Sequence, residues 1–433
     1  MKCTALVAAV VGLCLPLLAA CSDSGLRAEA SAESGRLLIV GGALRSDNAA
    51  VYRAFIDGVP EQFPEVAIVP AASGRPSHYA QQFLADLRSH GFAGKIRVLP
   101  IAVKDDAATK DIDESDWRQG GHDAALAKTL VSVGGIWFVG GDQTRISETL
   151  LDAQGQDTPV LSAIRRQLAR GAIVGGTSAG AAIMSRTMIA AGDSLSALTM
   201  PVAETYQGME SQEAGQLLLS RGLGFLPVGI VDQHFDRKAR LGRLIRALGR
   251  VSAPDEQLGF GVDEDTAFLV DLDAASMTVL GAGTLVVADA RKARFAHATA
   301  DAKVGFAARD LRVSVLSHGD RYLWRDNKVV ASGSETQGNE AFGYQATQGA
   351  GIALANPRLD HLLGFSLLDN SENSEVRRYA FDDQTGKGVL FRFRQDDQSR
   401  GFWIYGSGTK DQYTIVDVAL DIEPVSVSVT AAR

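Results

Sequence analysis

Short apolar runs that alternate with amphipathic segments are the feature that most restricts how this chain can fold. The runs with strand character are Leu37–Gly41, Val66–Pro70, Ile96–Pro100, Ile136–Gly140, Ala172–Gly175 and Gly229–Asp232. The segments between them with helical periodicity are Ala49–Gln62, Ser77–His90, Asp123–Val133, Thr144–Asp152 and Leu161–Arg170. Because a parallel strand covered on both sides is apolar on both faces, this alternation predicts an α/β fold with a doubly wound, mostly parallel sheet and flanking helices.

After Gly259 the pattern changes to short apolar runs separated by Gly, Asn and Asp. Such runs are typical of antiparallel strands joined by tight turns. The chain of 433 residues is also longer than one hydrophobic core usually allows. We therefore predict a sheet-and-helix domain over residues 36–304 and a β-rich C-terminal region over residues 305–433.

The first 20 residues have the pattern of an export signal. Lys2 supplies the positive charge, and residues 5–20 form an apolar stretch that is short for a membrane span. The residues Leu-Ala-Ala-Cys that end at Cys21 resemble the lipobox of bacterial lipoproteins, which implies cleavage before Cys21 and acylation of its thiol. Residues 21–35 are then a polar tether, and the lipid anchors the protein to the outer membrane or cell surface. The alternative is an ordinary secretory signal that releases the protein from the cell.

Composition excludes several classes of protein. All three cysteines lie within the first 21 residues, so the rest of the chain can form neither a disulfide nor a thiolate metal site. The net charge of −8, without any basic run, argues against nucleic acid as a partner. We expect no metal and no cofactor, since the chain also lacks the spaced histidines and carboxylates of common metal-binding motifs.

The segment AIVGGTSAGAA, residues 172–182, carries the most specific chemical signal. An apolar strand that passes into a helix through one residue presents that residue in a sharp turn, and small neighbours permit the close backbone approach. Ser178 is therefore a candidate nucleophile, and the N–H of Ala179 is a candidate oxyanion donor. The alternative is a glycine-rich turn that only packs.

Three other polar clusters follow apolar runs. His234 stands at the end of one run, where open α/β sheets place their sites, and is the candidate general base. Gly141 follows another run and could complete the oxyanion hole. Residues 263–265 supply acids, one of which could orient the imidazole, with Asp193 and Asp232 as alternative acids. The helix after His234 carries basic residues that either face the site or form a solvated surface.

The motifs FVGGDQ, GGTSAGA, VDQHF, LGRL and GVDED, in this order, resemble those of the cyanophycinases, which are grouped with the aspartyl dipeptidases among serine peptidases. The resemblance implies a fold like that of class I glutamine amidotransferases and a catalytic triad of Ser178, His234 and Glu264. It also implies a substrate pocket, whose matching positions are Gln143, Asp232, Gln233, Lys238, Arg240 and Arg243. Lys238 stands where the family pattern has arginine, which weakens a bidentate contact with a carboxylate.

The resemblance implies that the protein is an exported serine-type exopeptidase whose partner is the polymer cyanophycin, multi-L-arginyl-poly-L-aspartate. It would release β-Asp-Arg dipeptides through an acyl-enzyme. The alternatives are an aspartyl dipeptidase-like enzyme of other specificity, an esterase with the same serine motif, and a binding lipoprotein. An insert-like segment over residues 195–222 could deepen the cleft or contact a partner subunit, and the sequence leaves room for a homodimer.

Overall fold

The computed structural model describes residues 35–296, 305–340, 343–346, 349–350, 359–406, 411–428 and 430. The predicted signal peptide, the predicted lipidation site Cys21 and the tether up to residue 34 lie outside these ranges. Within the ranges, no helix is both long and apolar enough to cross a membrane.

The α-helices of the described ranges lie mainly in the first half of the chain. They are α1 (Ala49–Asp57), α2 (Pro76–Ser89), α3 (Ala124–Lys128), α4 (Gln143–Leu150), α5 (Pro159–Leu168), α6 (Ala179–Ala182), α7 (Ser194–Thr199) and α8 (Leu241–Leu248). Shorter turns of 3₁₀ type are Glu114–His122, Thr129–Ser132, Met209–Gln212 and Pro254–Glu256, and one π-helix is His361–Leu368. Helix α1 ends earlier than predicted because Gly58 and Pro60 follow it, and the residue before a proline disfavours helical angles.

The strands run through the whole described chain. They are β1 (Arg36–Val40), β2 (Glu65–Val69), β3 (Ile96–Val98), β4 (Val133–Phe138), β5 (Ile173–Thr177), β6 (Thr187–Ala191), β7 (Leu218–Arg221), β8 (Ile230–Asp232), β9 (Leu258–Val262), β10 (Thr266–Asp271), β11 (Ser276–Gly281), β12 (Leu285–Asp289), β13 (Arg294–Ala296), β14 (Ala307–Leu316), β15 (Arg321–Leu323), β16 (Lys328–Val330), β17 (Ser334–Glu335), β18 (Gly349–Ala350), β19 (Glu375–Phe381), β20 (Lys387–Arg394), β21 (Arg400–Ile404) and β22 (Gln412–Ser426).

The first sheet has the strand order β16-β15-β11-β10-β1-β5-β4-β2-β3. Strands β1, β5, β4, β2 and β3 are parallel to one another, as the alternation of runs and helices predicts. Strand β10 joins β1 in antiparallel register, and β11, β15 and β16 continue the sheet in the same way. The carboxyl ends of five parallel strands therefore lie along one edge.

Successive residues of these parallel strands are buried in different hydrophobic clusters. Leu37 and Ile39 of β1 lie in the cluster that contains residues of α4 and α5. Leu38 and Val40 lie in the cluster that contains Phe55 of α1 and residues of α2. Because neighbouring residues of a strand point to opposite faces, helices cover both faces of the sheet, which confirms the doubly wound arrangement.

The second sheet has the order β18-β19-β20-β22-β14-β12-β9-β8. Strand β8 is parallel to β9, and the next pairs along the sheet, from β9 to β12 to β14 to β22, are antiparallel. The predicted strand Gly229–Asp232 therefore belongs to this sheet and not to the doubly wound one. The apolar residues Ile230 and Val231 indicate that the strand is buried, but burial alone does not determine which sheet the strand joins.

The insert-like segment over residues 195–222 is ordered by pairing within the chain. It contains most of α7, the 3₁₀ turn Met209–Gln212 and strand β7. Strand β7 pairs in antiparallel register with β6, which directly precedes the segment. The 3₁₀ turn lies between these two strands in the chain, and its Met209 lines the same cleft as Ser178.

Strands after residue 305 extend both sheets. Strands β15 and β16 lie at one end of the first sheet, whereas β14, β19, β20 and β22 belong to the second sheet. The division of the chain at residue 305 stays a prediction. The described strands on either side of it share a hydrophobic cluster, in which Val286 and Ala288 of β12 join Val313 and Val315 of β14.

Asp320 provides a test of how strongly the C-terminal strands are joined. Its fully buried carboxylate accepts hydrogen bonds from Ser317, from the backbone and hydroxyl of Ser332, and from Thr414 of β22. Asp320→Ala leaves these donors unpaired and should lower the free energy of unfolding by roughly 3 kcal/mol or more. Denaturant titration measures this loss. Asp326→Ala, which removes an exposed carboxylate from the adjacent turn, should change it by less than about 0.5 kcal/mol.

Candidate active site

Ser178 occupies a strained turn between β5 and α6. Its backbone angles are φ 55° and ψ −110°, which L-residues rarely adopt. Its N–H donates to the carbonyl of Val40 at 3.0 Å, and its own carbonyl accepts from the N–H groups of Ala181 and Ala182. The turn is held from both sides, so the predicted strand-to-helix turn is present and carries the serine.

Small residues around Ser178 permit this geometry. A side chain on Gly180 would place its Cβ 2.5 Å from the carbonyl oxygen of Phe138, which is closer than atoms can approach. The first turn of α6 therefore packs directly against the backbone of β4. The glycine in the motif is required by this approach of helix to strand.

His234 lies at the end of β8, as the sequence predicts, and its ring reaches Ser178. Nε2 is 3.0 Å from Ser178 Oγ, and Nδ1 is 2.6 Å from Glu264 Oε1. Since an ionised carboxylate only accepts, Nδ1–H donates to Glu264 and Nε2 accepts the proton of the serine. The three side chains form one hydrogen-bonded chain, with Glu264 supplied by the loop after β9.

The other acids considered from the sequence have different partners. Asp193 caps α7 and accepts from Gly215, and Asp232 is bound by Arg243. Asp263 accepts from the backbone and hydroxyl of Thr284, and Asp265 accepts from Arg45 and Asn48. Of these five acids, Glu264 alone contacts the imidazole.

Electrostatics favour a neutral imidazole at the site. Burial lowers the pKa of His234, the hydrogen bond with Glu264 opposes this shift, and the positive charges of Lys238 and Arg240 lower the pKa further. An imidazole that is neutral near pH 7 can accept a proton, as a general base must. Burial also raises the pKa of Asp263, which precedes Glu264, to about 7.

Two backbone N–H groups lie where the sequence places oxyanion donors. Ala179 is the first residue of α6, and Gly141 lines the cleft beside Ser178. Neither N–H donates a hydrogen bond to another residue in the described part of the chain. Both are therefore available to a ligand next to the serine hydroxyl.

A cleft of about 480 Å³ opens beside Ser178 and His234. Its walls combine aromatic side chains with the carboxylate of Asp86, and the insert contributes Met209. Phe83 and Trp137 stack in its floor with ring centroids 4.1 Å apart. Among the described residues, no group of three or more His, Cys, Asp or Glu side chains is placed to hold a metal ion.

The predicted substrate-pocket residues are mostly enclosed by protein, which corrects the expectation that they line the cleft. Five of them are at most 3% exposed: Gln143, Asp232, Gln233, Arg240 and Arg243. Both carboxylate oxygens of Asp232 accept from Arg243, at 2.8 and 2.6 Å. Each carboxylate oxygen of Asp232 therefore already has a protein donor. Bidentate pairs of this kind are among the strong hydrogen bonds of proteins.

The two arginines of this group also donate to backbone carbonyls. Arg243 donates to Gly192 and Gln212, and Arg240 donates to Gln212 and to the carbonyl of Gln233. These bonds hold both ends of the segment from Gly192 to Gln212 against the site. The arginines thus position the insert.

One predicted pocket residue, Gln233, lies directly beside the nucleophile. The amide oxygen of Gln233 lies 3.5 Å from Ser178 Oγ, while Gln143 donates to the carbonyls of Ile189 and Ala190. Lys238 is 31% exposed and pairs with Glu213 of the insert. Lys238 is the member of the predicted cationic group that solvent and ligands can reach.

Some residues that shape the site were missed in the sequence. Gly42 has φ +110°, and a Cβ there would lie 2.4 Å from the His234 ring. Asp236 accepts from the backbone N–H of Glu264 at 3.0 Å and so fixes the acid. The two consecutive glycines after β1 could have indicated the role of Gly42. Nothing near Asp236 in the sequence indicates its role, because its partner Glu264 lies in another loop.

Comparison with protein families assigns the chain. The model described as Peptidase family S51 matches residues 37–278, which is more than half of the chain. The chain belongs to peptidase family S51. The resemblance carried by its motifs is thereby confirmed, and the protein is a serine-type peptidase. The match ends before the β-rich C-terminal region begins.

Curated relatives lie within the same family. The protein named Cyanophycinase from Geminocystis herdmanii is 32% identical over 267 residues, which cover 61% of this chain and 85% of that protein. The Cyanophycinase of a Nostoc species is 29% identical over 288 residues, which cover 66% and 84%. Among solved structures, a peptidase from an acI-B1 Actinobacterium gives a TM-score of 0.41 at 18% identity, covering 59% of this chain and 91% of that one.

The pH dependence of hydrolysis tests the arrangement of His234 and Glu264. Since the neutral imidazole is the base, kcat/KM should rise with pH as His234 loses its proton, with a midpoint below 6.5. Glu264→Gln removes the interaction that raises this pKa, so it should move the midpoint lower and reduce kcat by about four orders of magnitude. Initial rates measured across pH give both quantities.

Asp265→Asn is the matched control for this measurement. It also neutralises an acid of the loop but keeps an oxygen that can accept from Arg45, so kcat should stay within about threefold of the unchanged protein. A glutamine variant at Glu264 with nearly full kcat would contradict the assignment of the acid.

Proposed function

We propose that the protein hydrolyses cyanophycin and releases β-Asp-Arg dipeptides. The observation that carries this proposal is the hydrogen-bonded chain from Ser178 through His234 to Glu264 beside an open cleft. Membership of peptidase family S51 and relatives named Cyanophycinase support the choice of substrate.

The reaction begins with attack of Ser178 Oγ on the α-amide carbonyl between two aspartates. His234 Nε2 takes the hydroxyl proton and gives it to the departing amine, and Glu264 stabilises the imidazolium. The resulting ester between Ser178 and the acyl part is cleaved by a water molecule that His234 deprotonates. The N–H groups of Ala179 and Gly141 bind the oxyanion in both steps.

The strained turn at Ser178 supports this role over simple packing. A residue at φ 55° costs on the order of 1 to 3 kcal/mol relative to a relaxed backbone, and such strain concentrates at functional sites. A binding lipoprotein would have no use for a strained serine that is hydrogen-bonded to a partly buried histidine with a lowered pKa. An aspartyl dipeptidase-like enzyme of other specificity would use the same three residues, so substrate assays separate that alternative.

Incubation with insoluble cyanophycin tests the proposal directly. The unchanged protein should release a product with the mass of β-Asp-Arg, and Ser178→Ala should lower the rate by about 10⁴-fold or more because the nucleophile is lost. Mass spectrometry of the soluble fraction measures the product, and circular dichroism checks that the variant is folded. Release of single amino acids, or an active alanine variant, would contradict the proposal.

We also propose that the enzyme is exported and anchored through a lipid on Cys21. The lipobox resemblance and the polar tether support this location, which suits an enzyme that degrades an external polymer. Cys21→Ser should abolish incorporation of labelled palmitate, because the thiol is the lipid acceptor. Label that persists without Cys21 would refute the anchor, whereas unlabelled but exported wild-type protein would indicate simple secretion.

A further inference from the structure

The catalytic cleft contains a carboxylate with no assigned role. Asp86 lies in α2 and lines the cleft that contains Ser178 and His234. Among the described residues that line this cleft, Asp86 is the one acid, and no lysine or arginine accompanies it. The wall of the cleft that α2 forms therefore presents a negative charge.

One face of α2 builds this wall of the cleft. Tyr79, Gln82, Phe83 and Asp86 all line it, and their spacing of three, four and seven residues places them along one side of a helix. Tyr79 is 46% exposed, so its ring is open to a ligand. An exposed aromatic ring on the same side of a helix as a carboxylate suits a planar cation. Such a cation can stack on the ring while it donates a hydrogen bond to the carboxylate.

Asp86 is oriented but not neutralised. The buried hydroxyl of Tyr52 donates to Asp86 Oδ2 at 2.9 Å, and Tyr52 is itself fixed by stacking on His90 with ring centroids 4.5 Å apart. In the described part of the chain no cation forms an ion pair with Asp86, and no donor is assigned to Oδ1. The carboxylate is thus held in place with one oxygen available to a ligand.

We propose that Asp86 binds the guanidinium group of the substrate arginine and so selects the substrate. This inference rests on the proposed function. The guanidinium donates to the free oxygen of Asp86 and lies against Tyr79, in the same cleft as Ser178.

The test compares two substrates and two variants. The substrates are a β-Asp-Arg oligomer and the same oligomer with citrulline, a neutral isostere of arginine. Asp86→Asn should raise KM for the arginine oligomer about 10- to 100-fold, as expected for loss of a charge-assisted hydrogen bond, with kcat within about threefold. For the citrulline oligomer KM should change less than about threefold. Asp57→Asn, which removes an exposed carboxylate from α1 outside the cleft, should leave KM unchanged for both.

Each outcome has a defined meaning. If the unchanged protein hydrolyses the arginine oligomer but Asp86→Asn leaves its KM unaltered, the role of Asp86 is overturned and the proposed function stands. An equal rise in KM for both oligomers also overturns the role of Asp86, because the effect would then not depend on the charge of the guanidinium. If the unchanged protein hydrolyses neither oligomer, the proposed function and this inference fall together. Thermal unfolding of Asp86→Asn verifies that the variant is folded.

Discussion

The backbone hydrogen bond from His234 to Gly41 is the contact on which the site depends. At 2.6 Å it joins the end of β8, in the second sheet, to the end of β1, in the first. The N–H of Ser178 donates to the preceding carbonyl, that of Val40. Serine and histidine therefore meet because both are tied to adjacent carbonyls of one strand. Gly42 completes the junction, since a side chain there would occupy the space of the imidazole.

Both reacting residues are held in strained backbone by this junction. Ser178 has φ 55° and His234 has φ 47°. Each such residue costs on the order of 1 to 3 kcal/mol, which the surrounding hydrogen bonds and the packing of the parallel strands offset. Asp236 adds a further constraint by holding the backbone of Glu264. The geometry of the three side chains is thus fixed before a substrate enters, which reduces the cost of reaching the reactive arrangement.

The buried charges behind the site organise the insert. Removing Arg243 and Asp232 from water is costly, and the pairing of the two side chains only offsets that cost. The pair contributes by positioning the insert, because Arg243 also donates to the carbonyls of Gly192 and Gln212. The segment between them carries Met209, which lines the cleft. A buried ion pair therefore determines where one wall of the cleft lies.

Local patterns in the sequence determined the parallel sheet, the turn at Ser178 and the placement of His234 at a strand end. Each of these depends on neighbours in the chain, through periodicity of burial or through the small residues that a sharp turn requires. The residues alone left the acid open among several carboxylates, because residue type does not specify a partner from another loop.

Only the tertiary structure decided that Glu264 reaches His234, that β8 joins the second sheet, and that the polar side chains of Asp232 and Arg243 bind each other. It also brought Asp86, which lies in the last turn of α2 and has no local signal in the sequence, into the cleft of Ser178. These outcomes depend on how two sheets pack and which groups are then shielded from water, and that is a property of contacts between residues far apart in the chain.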